Sequence, residues 1–142
     1  MLRRLYNTIE IMELFRPVGL KELELIAEAD FKAFPPRLPQ QPIFYPVLNF
    51  EYAQQIARDW NTKSNGFAGF VTKFIVEDEY VKQFEVHIVG SRIHQELWIP
   101  VEELAEFNRH IVGKIIVESA YYGDNFQGDI NPETNLPKNI KI

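Results

Sequence analysis

Five prolines fall within thirteen residues, in F-P-P-R-L-P-Q-Q-P-I-F-Y-P from Phe34 to Pro46. Each fixes its own φ and disfavours helix at the residue before it, so the stretch can be neither a helix nor the interior strand of a regular sheet. An extended, rigid loop is the remaining solution. Its aromatic and aliphatic content predicts that it packs on the domain rather than acting as a flexible linker.

The loop separates two helical patterns. Before it, E-L-F-R-P-V reads as a strand ended by Pro17 and Gly19. Leu20, Leu23, Ile26 and Ala27 then recur at helical spacing over residues 20–29. After it, Asn49 can cap the helix F-E-Y-A-Q-Q-I-A-R-D-W-N, which groups Tyr52, Ala53, Ile56, Ala57 and Trp60 on one side. Strand patterns follow in G-F-V-T-K-F-I-V-E-D, E-V-H-I-V and R-I-H-Q-E-L-W-I-P. A short helix in V-E-E-L-A-E-F-N-R-H-I and a closing strand in K-I-I-V-E-S complete the order. Alternation in R-I-H-Q-E-L-W-I-P would place Arg92, His94 and Glu96 on one face. Helices toward one half and strands toward the other predict a single α+β domain with a largely antiparallel sheet. We expect an N-terminal extension over 1–12, the domain over 13–122 and a polar C-terminal tail over 123–142.

Composition narrows the function. A net charge of -5 with no cationic cluster argues against bulk nucleic-acid binding, and a single-strand RNA binder built on Phe and Tyr platforms suffers from the same balance. Without cysteine there are no disulfides, thiolate metal sites or cysteine nucleophiles, and the three histidines have no metal-ligand spacing, so no metal is expected. No apolar run reaches the length of a membrane span or a signal-peptide core, which points to a cytoplasmic protein without membrane partners. Phosphate-loop, serine-hydrolase and zincin motifs do not occur.

Three places combine polar chemistry with an apolar setting. Arg16 could grip a phosphate or carboxylate beside Gly19, or could pair with a surface carboxylate. I-F-Y-P-V at 43–47 could stack a flat or cationic ring, or could be core. Glu96 could accept a ribose hydroxyl or stabilise positive charge, kept ionised by a neighbouring arginine, or could face solvent.

The stretches L-F-R-P-V-G-L-K-E-L-E-L-I, F-P-P-R-L-P-Q-Q-P-I-F-Y-P-V-L-N, A-Q-Q-I-A-R-D-W-N and H-Q-E-L-W-I-P-V-E-E-L-A-E-F-N-R-H-I-V-G-K-I resemble a family of short bacterial proteins. That family carries a label joining ADP-ribosylation with a J-type crystallin name. The crystallin half implies an all-helical di-metal hydrolase, which this strand-rich chain does not resemble. The element order is instead similar to small ADP-ribosyltransferases, whose split sheet clasps NAD. The resemblance implies that Arg16 anchors phosphate or ribose, that Gly19 offers backbone groups to the nicotinamide amide, and that Tyr45 or Phe44 stacks on the ring. It further implies Glu96 as the catalytic carboxylate and His94 as a residue orienting an unidentified protein or nucleic-acid acceptor. A non-catalytic interaction module on the same scaffold is the alternative. Arg16, Tyr45 and Glu96 converging on one cleft would favour the enzyme; Glu96 on the opposite sheet face from Arg16 would sink it.

Overall fold

A computed structural model describes residues 3–6 and 9–142, the first stretch as backbone only. The expected extension therefore falls partly outside the described residues. Its remainder does not stand apart from the domain: β1 (Arg3–Tyr6) pairs antiparallel with the start of β2 (Ile9–Gly19), where Ile11 and Met12 are buried. β2 next pairs antiparallel with β4 (Ala68–Glu77), and β4 with β8 (Ile111–Tyr122), giving a four-stranded sheet in the order β1-β2-β4-β8. The fold is mixed α and β with mainly antiparallel sheets.

Alternation along β2 and β4 divides the sheet into two apolar faces. Met12, Leu14 and Val18, opposite Val76, Phe74 and Phe70, build the larger core. It is closed by α1 (Leu20–Glu28) through Leu23 and Ile26, by α3 (Asp78–Val81) through Val81, and by α4 (Leu104–Arg109) through Leu104 and Phe107. On the other face Phe15 and Val71 meet α2 (Phe50–Asp59) at Tyr52, Ala53 and Ala57. α2 lies so close that a Cβ on Gly69 of β4 would come within 2.1 Å of the Ala57 carbonyl oxygen. Asn49 caps α2 as expected, its side-chain oxygen accepting from the Tyr52 N–H at 2.8 Å.

A second ladder stands beside β2. The chain from β3 (Ile43–Phe44) to Val47 runs antiparallel to β6 (Gln95–Leu97) and β7 (Ile99–Pro100), with Ile43 opposite Pro100, Phe44 opposite Ile99 and Val47 opposite Glu96. β5 (Val86–Ile88) pairs with the far side of β6. The proline loop thus ends in a strand that packs on the domain. This ladder joins the main sheet at Phe15 and Val47, which exchange backbone hydrogen bonds of 2.9 and 2.7 Å.

Pro17 explains why the two ladders part there. In an antiparallel pair the next bonds after Phe15 and Val47 would link residues 17 and 45, and proline has no N–H to donate. Since Phe15 donates toward Val47, the Pro17 nitrogen also points to that side and costs β4 nothing, so β2 does not end at Pro17 but continues to Gly19. The sheet is split at this edge.

Two further expectations change. The strand pattern expected over R-I-H-Q-E-L-W-I-P begins only at Gln95, because residues 91–93 form a turn after Gly90, whose φ is +88°. Arg92 is exposed in that turn and shares no strand face with Glu96. The segment after Gly123 also folds back, through β9 (Ile130–Asn131) and β10 (Leu136–Pro137), and buries Leu136 and Ile140 in the larger core. Among the described residues no helix is long and apolar enough to cross a membrane.

Candidate functional site

A cavity of about 430 Å³ opens where the two ladders part, lined by Arg16, Pro17, Tyr45, Val47, Ile56, Val89, Glu96 and Trp98. Its floor follows from alternation. With Val47 opposite Glu96, Tyr45 stands opposite Trp98, and these four side chains leave the small ladder on one face. Phe44, Leu97 and Ile99 leave it on the other, into the core. The Tyr45 and Trp98 rings meet edge to face, 6.3 Å apart at 88°, and remain 37% and 40% exposed, so both present surface to a ligand. From α2, Ile56 lines the same cavity and Tyr52 reaches Glu96.

Glu96 is held at both oxygens. One accepts from the Tyr52 hydroxyl, the other from the Trp98 indole N–H at 2.9 Å. Each oxygen retains a lone pair, so the carboxylate is oriented yet still able to accept from a ligand. Its partners are these neutral donors, not Arg92. Burial, then the hydrogen bond to Glu96, holds the Tyr52 phenol proton well above the usual tyrosine range. The His87 ring, opposite Glu96 in the ladder, stacks on Trp98 at 3.9 Å and 11° and fixes the outer wall.

Arg16 takes the second of its two expected roles and pairs with a carboxylate. It is buried, and its Nε and Nη2 donate to the two oxygens of Glu22 on α1 at 2.7 and 3.0 Å. Nη1 donates to the Tyr45 carbonyl at 3.2 Å, the acceptor that Pro17 leaves without a backbone partner, and the guanidinium lies 4.7 Å from the Phe44 ring centre. Arg16 therefore splices the gap between the ladders, and Glu22 cancels its charge. By register Arg16 shares a face with Leu14 and Val18, while Glu96 shares one with Phe15. They leave the sheet on opposite sides, the arrangement expected to sink the enzyme reading, and converge with Tyr45 on one cavity, the arrangement expected to favour it, because that cavity sits at the open edge of the sheet.

Arg16, Tyr45 and Glu96 are thus brought together, and three other candidates are not. Phe44 is 0% exposed, packed against Phe34 and Phe107, and has no face on which a ligand could stack. Gly19 starts α1 opposite Gly69 and lines no part of the cavity. His94 stacks on Tyr52 at 4.4 Å; its Nδ1 lies 3.1 Å from the Val89 carbonyl and its Nε2 2.9 Å from Gln55 Oε1. A carbonyl only accepts, so Nδ1 carries a proton, and both nitrogens are engaged away from the cavity. His94 is linked to Glu96 through its stack on Tyr52. Sequence reasoning missed Tyr52 and Trp98 as members of the site. Trp98 had a signal, two residues beyond Glu96 on the same strand face; Tyr52 had none beyond its place on the apolar side of α2.

Among the described residues no group of His, Asp and Glu could hold a metal ion. Compared with family models, with curated proteins and with solved structures, the chain matches none.

Proposed function

We propose that the cleft binds the nicotinamide end of NAD and that the protein is an ADP-ribosyltransferase-like enzyme acting on a protein or nucleic-acid acceptor. The observation that carries this is the pairing of two partly exposed aromatic rings, Tyr45 and Trp98, with a fixed carboxylate, Glu96, in one cavity. The nicotinamide of NAD is a flat cation, which aromatic faces and a carboxylate both attract. Arg16 adds no net charge against it, because Glu22 neutralises the guanidinium.

In this reading the bond from the nicotinamide nitrogen to the ribose anomeric carbon breaks, and its electron pair leaves with neutral nicotinamide. Glu96 accepts a hydrogen bond from a ribose hydroxyl and stabilises the positive charge that develops on the sugar. The acceptor then bonds to the same carbon and releases a proton. Arg16 builds the cleft and does not grip the diphosphate.

NAD binding and nicotinamide release test this together. Glu96→Gln keeps the shape and the aromatic walls, so binding is expected within a few-fold of the native chain while release falls by about 100-fold or more. A second reading, a non-catalytic module, has two observations in its favour: Arg16 and Glu96 leave the sheet on opposite faces, and Val86 and Ile88 of the edge strand β5 are exposed on the face of the small ladder opposite Trp98. Failure of NAD to bind would favour it.

A further inference from the structure

β5 is the free edge of the small ladder, and the bonds around it show which of its backbone groups face outward. The Val89 N–H donates to the His94 carbonyl, toward β6, whereas Leu97 donates to Pro46 and Gln95 accepts from Leu48, away from β5. Alternation therefore makes His87 and Glu96 a bonded pair. It turns the N–H and C=O of Val86 and Ile88, opposite Leu97 and Gln95, out of the sheet. Among the described residues nothing pairs with these groups, and residues 85–86 and 88–92 are exposed. Edge strands are ordinarily blunted by charge, proline, a bulge or a covering loop. The edge strand β8 is: Lys114 and Glu118 flank the exposed Ile116, the pairing with β4 shifts register, and the Phe31 carbonyl takes the Ile115 N–H. β5 has none of these devices. Val86 and Ile88 present apolar side chains to water on one face, while His87 stacks on Trp98 on the other.

We propose that β5 is a dimer interface, pairing antiparallel with β5 of a second copy of this chain about a two-fold axis at His87. The outward groups select that register. With His87 beside the partner's His87, Val86 stands opposite the partner's Ile88 and Ile88 opposite the partner's Val86. The two N–H and two C=O groups that each copy turns outward then meet as four hydrogen bonds, and all four apolar side chains share one face. A pairing centred on Val86 or on Ile88 would leave the other residue opposite Phe84 or Gly90, outside the strand. The strand ends are complementary too. Glu85 precedes β5 and Arg92 lies in the turn after it, both exposed and without an ion-pair partner among the described residues. Antiparallel pairing brings the acidic end of each strand to the basic end of the other. Both clefts then open to one side of the joined sheet, with the two His87 rings between their Trp98 walls. A pair of three-residue strands buries little surface, so the dimer forms and parts with concentration. It stands apart from what the cleft binds.

Sedimentation velocity of the full chain from about 1 μM to about 1 mM, the range open to a small interface, tests this. The native chain is expected to pass from monomer to dimer. Ile88→Pro removes a donor that faces only outward, so the fold is kept while two of the four bonds are lost, and the dissociation constant rises by about ten-fold or more. The register is tested by Val86→Glu and Ile88→Lys. Each variant alone is expected to remain monomeric where the native chain is dimeric. Mixed in equal amounts, the two set the introduced carboxylate against the introduced ammonium and dimerise again. Ile116→Lys, on β8, leaves association unchanged, and thermal melting confirms that every variant is folded. A native chain that stays monomeric throughout would overturn the inference. So would dimers that Ile88→Pro leaves as tight, a mixture of the two charged variants that stays monomeric, or an equal loss in Ile116→Lys.

Discussion

At the scale of single residues, the site depends on Tyr52 holding Glu96. The Tyr52 hydroxyl is the donor that α2 contributes to the carboxylate, and His94 keeps its ring in place. Tyr52→Phe preserves the packing and removes the donor. Nicotinamide release is expected to fall by roughly ten-fold or more, as for one hydrogen bond to a charged group, with NAD affinity little changed. The same phenol gives a pH dependence with a defined sign. Its proton is held more tightly in the folded chain than in the unfolded one, so above about pH 10, where an ordinary tyrosine ionises, the unfolded chain loses the proton first and stability falls. Below that pH the contribution is fully present. Tyr80, raised by burial and by Glu103, and Tyr122, raised by burial to about 12, act in the same direction. Chemical denaturation from pH 8 to 11 should therefore show stability declining above pH 10, with a shallower decline in Tyr52→Phe.

At the scale of elements, two small residues decide where α2 sits. Asn49 caps the helix with its oxygen, while its amide nitrogen donates to the Ile93 carbonyl at 2.5 Å, so one side chain fastens α2 to the turn that precedes Glu96. Asn49→Ala should cost about 1 kcal/mol for the cap. It should also speed hydrogen exchange over residues 91–95, which loss of a cap alone would not do. Gly69 lets α2 rest directly on β4, and Gly69→Ala has no room for its methyl group against the Ala57 backbone. A loss of about 3 kcal/mol in denaturant unfolding is expected, at the upper end for overpacking. The elements that were legible are those with local signals: α1 and α2 from their apolar period, the Asn49 cap, and β4 from its apolar run. β3 and β7 were not legible, because two-residue strands are defined by pairing between distant segments. β8 begins before the expected strand at Lys114. Gly113, read as a break, takes a φ of +78° inside the strand, in a stretch where the pairing with β4 shifts register.

At the scale of the whole molecule, one proline determines the architecture around the cleft. Pro17 withholds the donor that would have joined the ladders, Arg16 supplies a side-chain donor in its place, and the resulting gap is the cavity. The α+β class was readable from the order of patterns. The convergence of Tyr45 and Glu96 was not, since it arises from a register in which Val47 faces Glu96. The choice of Tyr45 over Phe44 follows from the same register and was equally hidden. The C-terminal segment misled because Leu136 and Ile140 are isolated apolar residues without a period, yet each fills the core.

The central claim is that this gap holds the nicotinamide end of NAD against Glu96. Its most direct test is nicotinamide release measured alongside NAD binding in the native chain and in Glu96→Gln. Saturable NAD binding by both chains, with release lost in the variant, is the expected result. Absence of NAD binding by the folded native chain, or release that Glu96→Gln leaves unchanged, would contradict it.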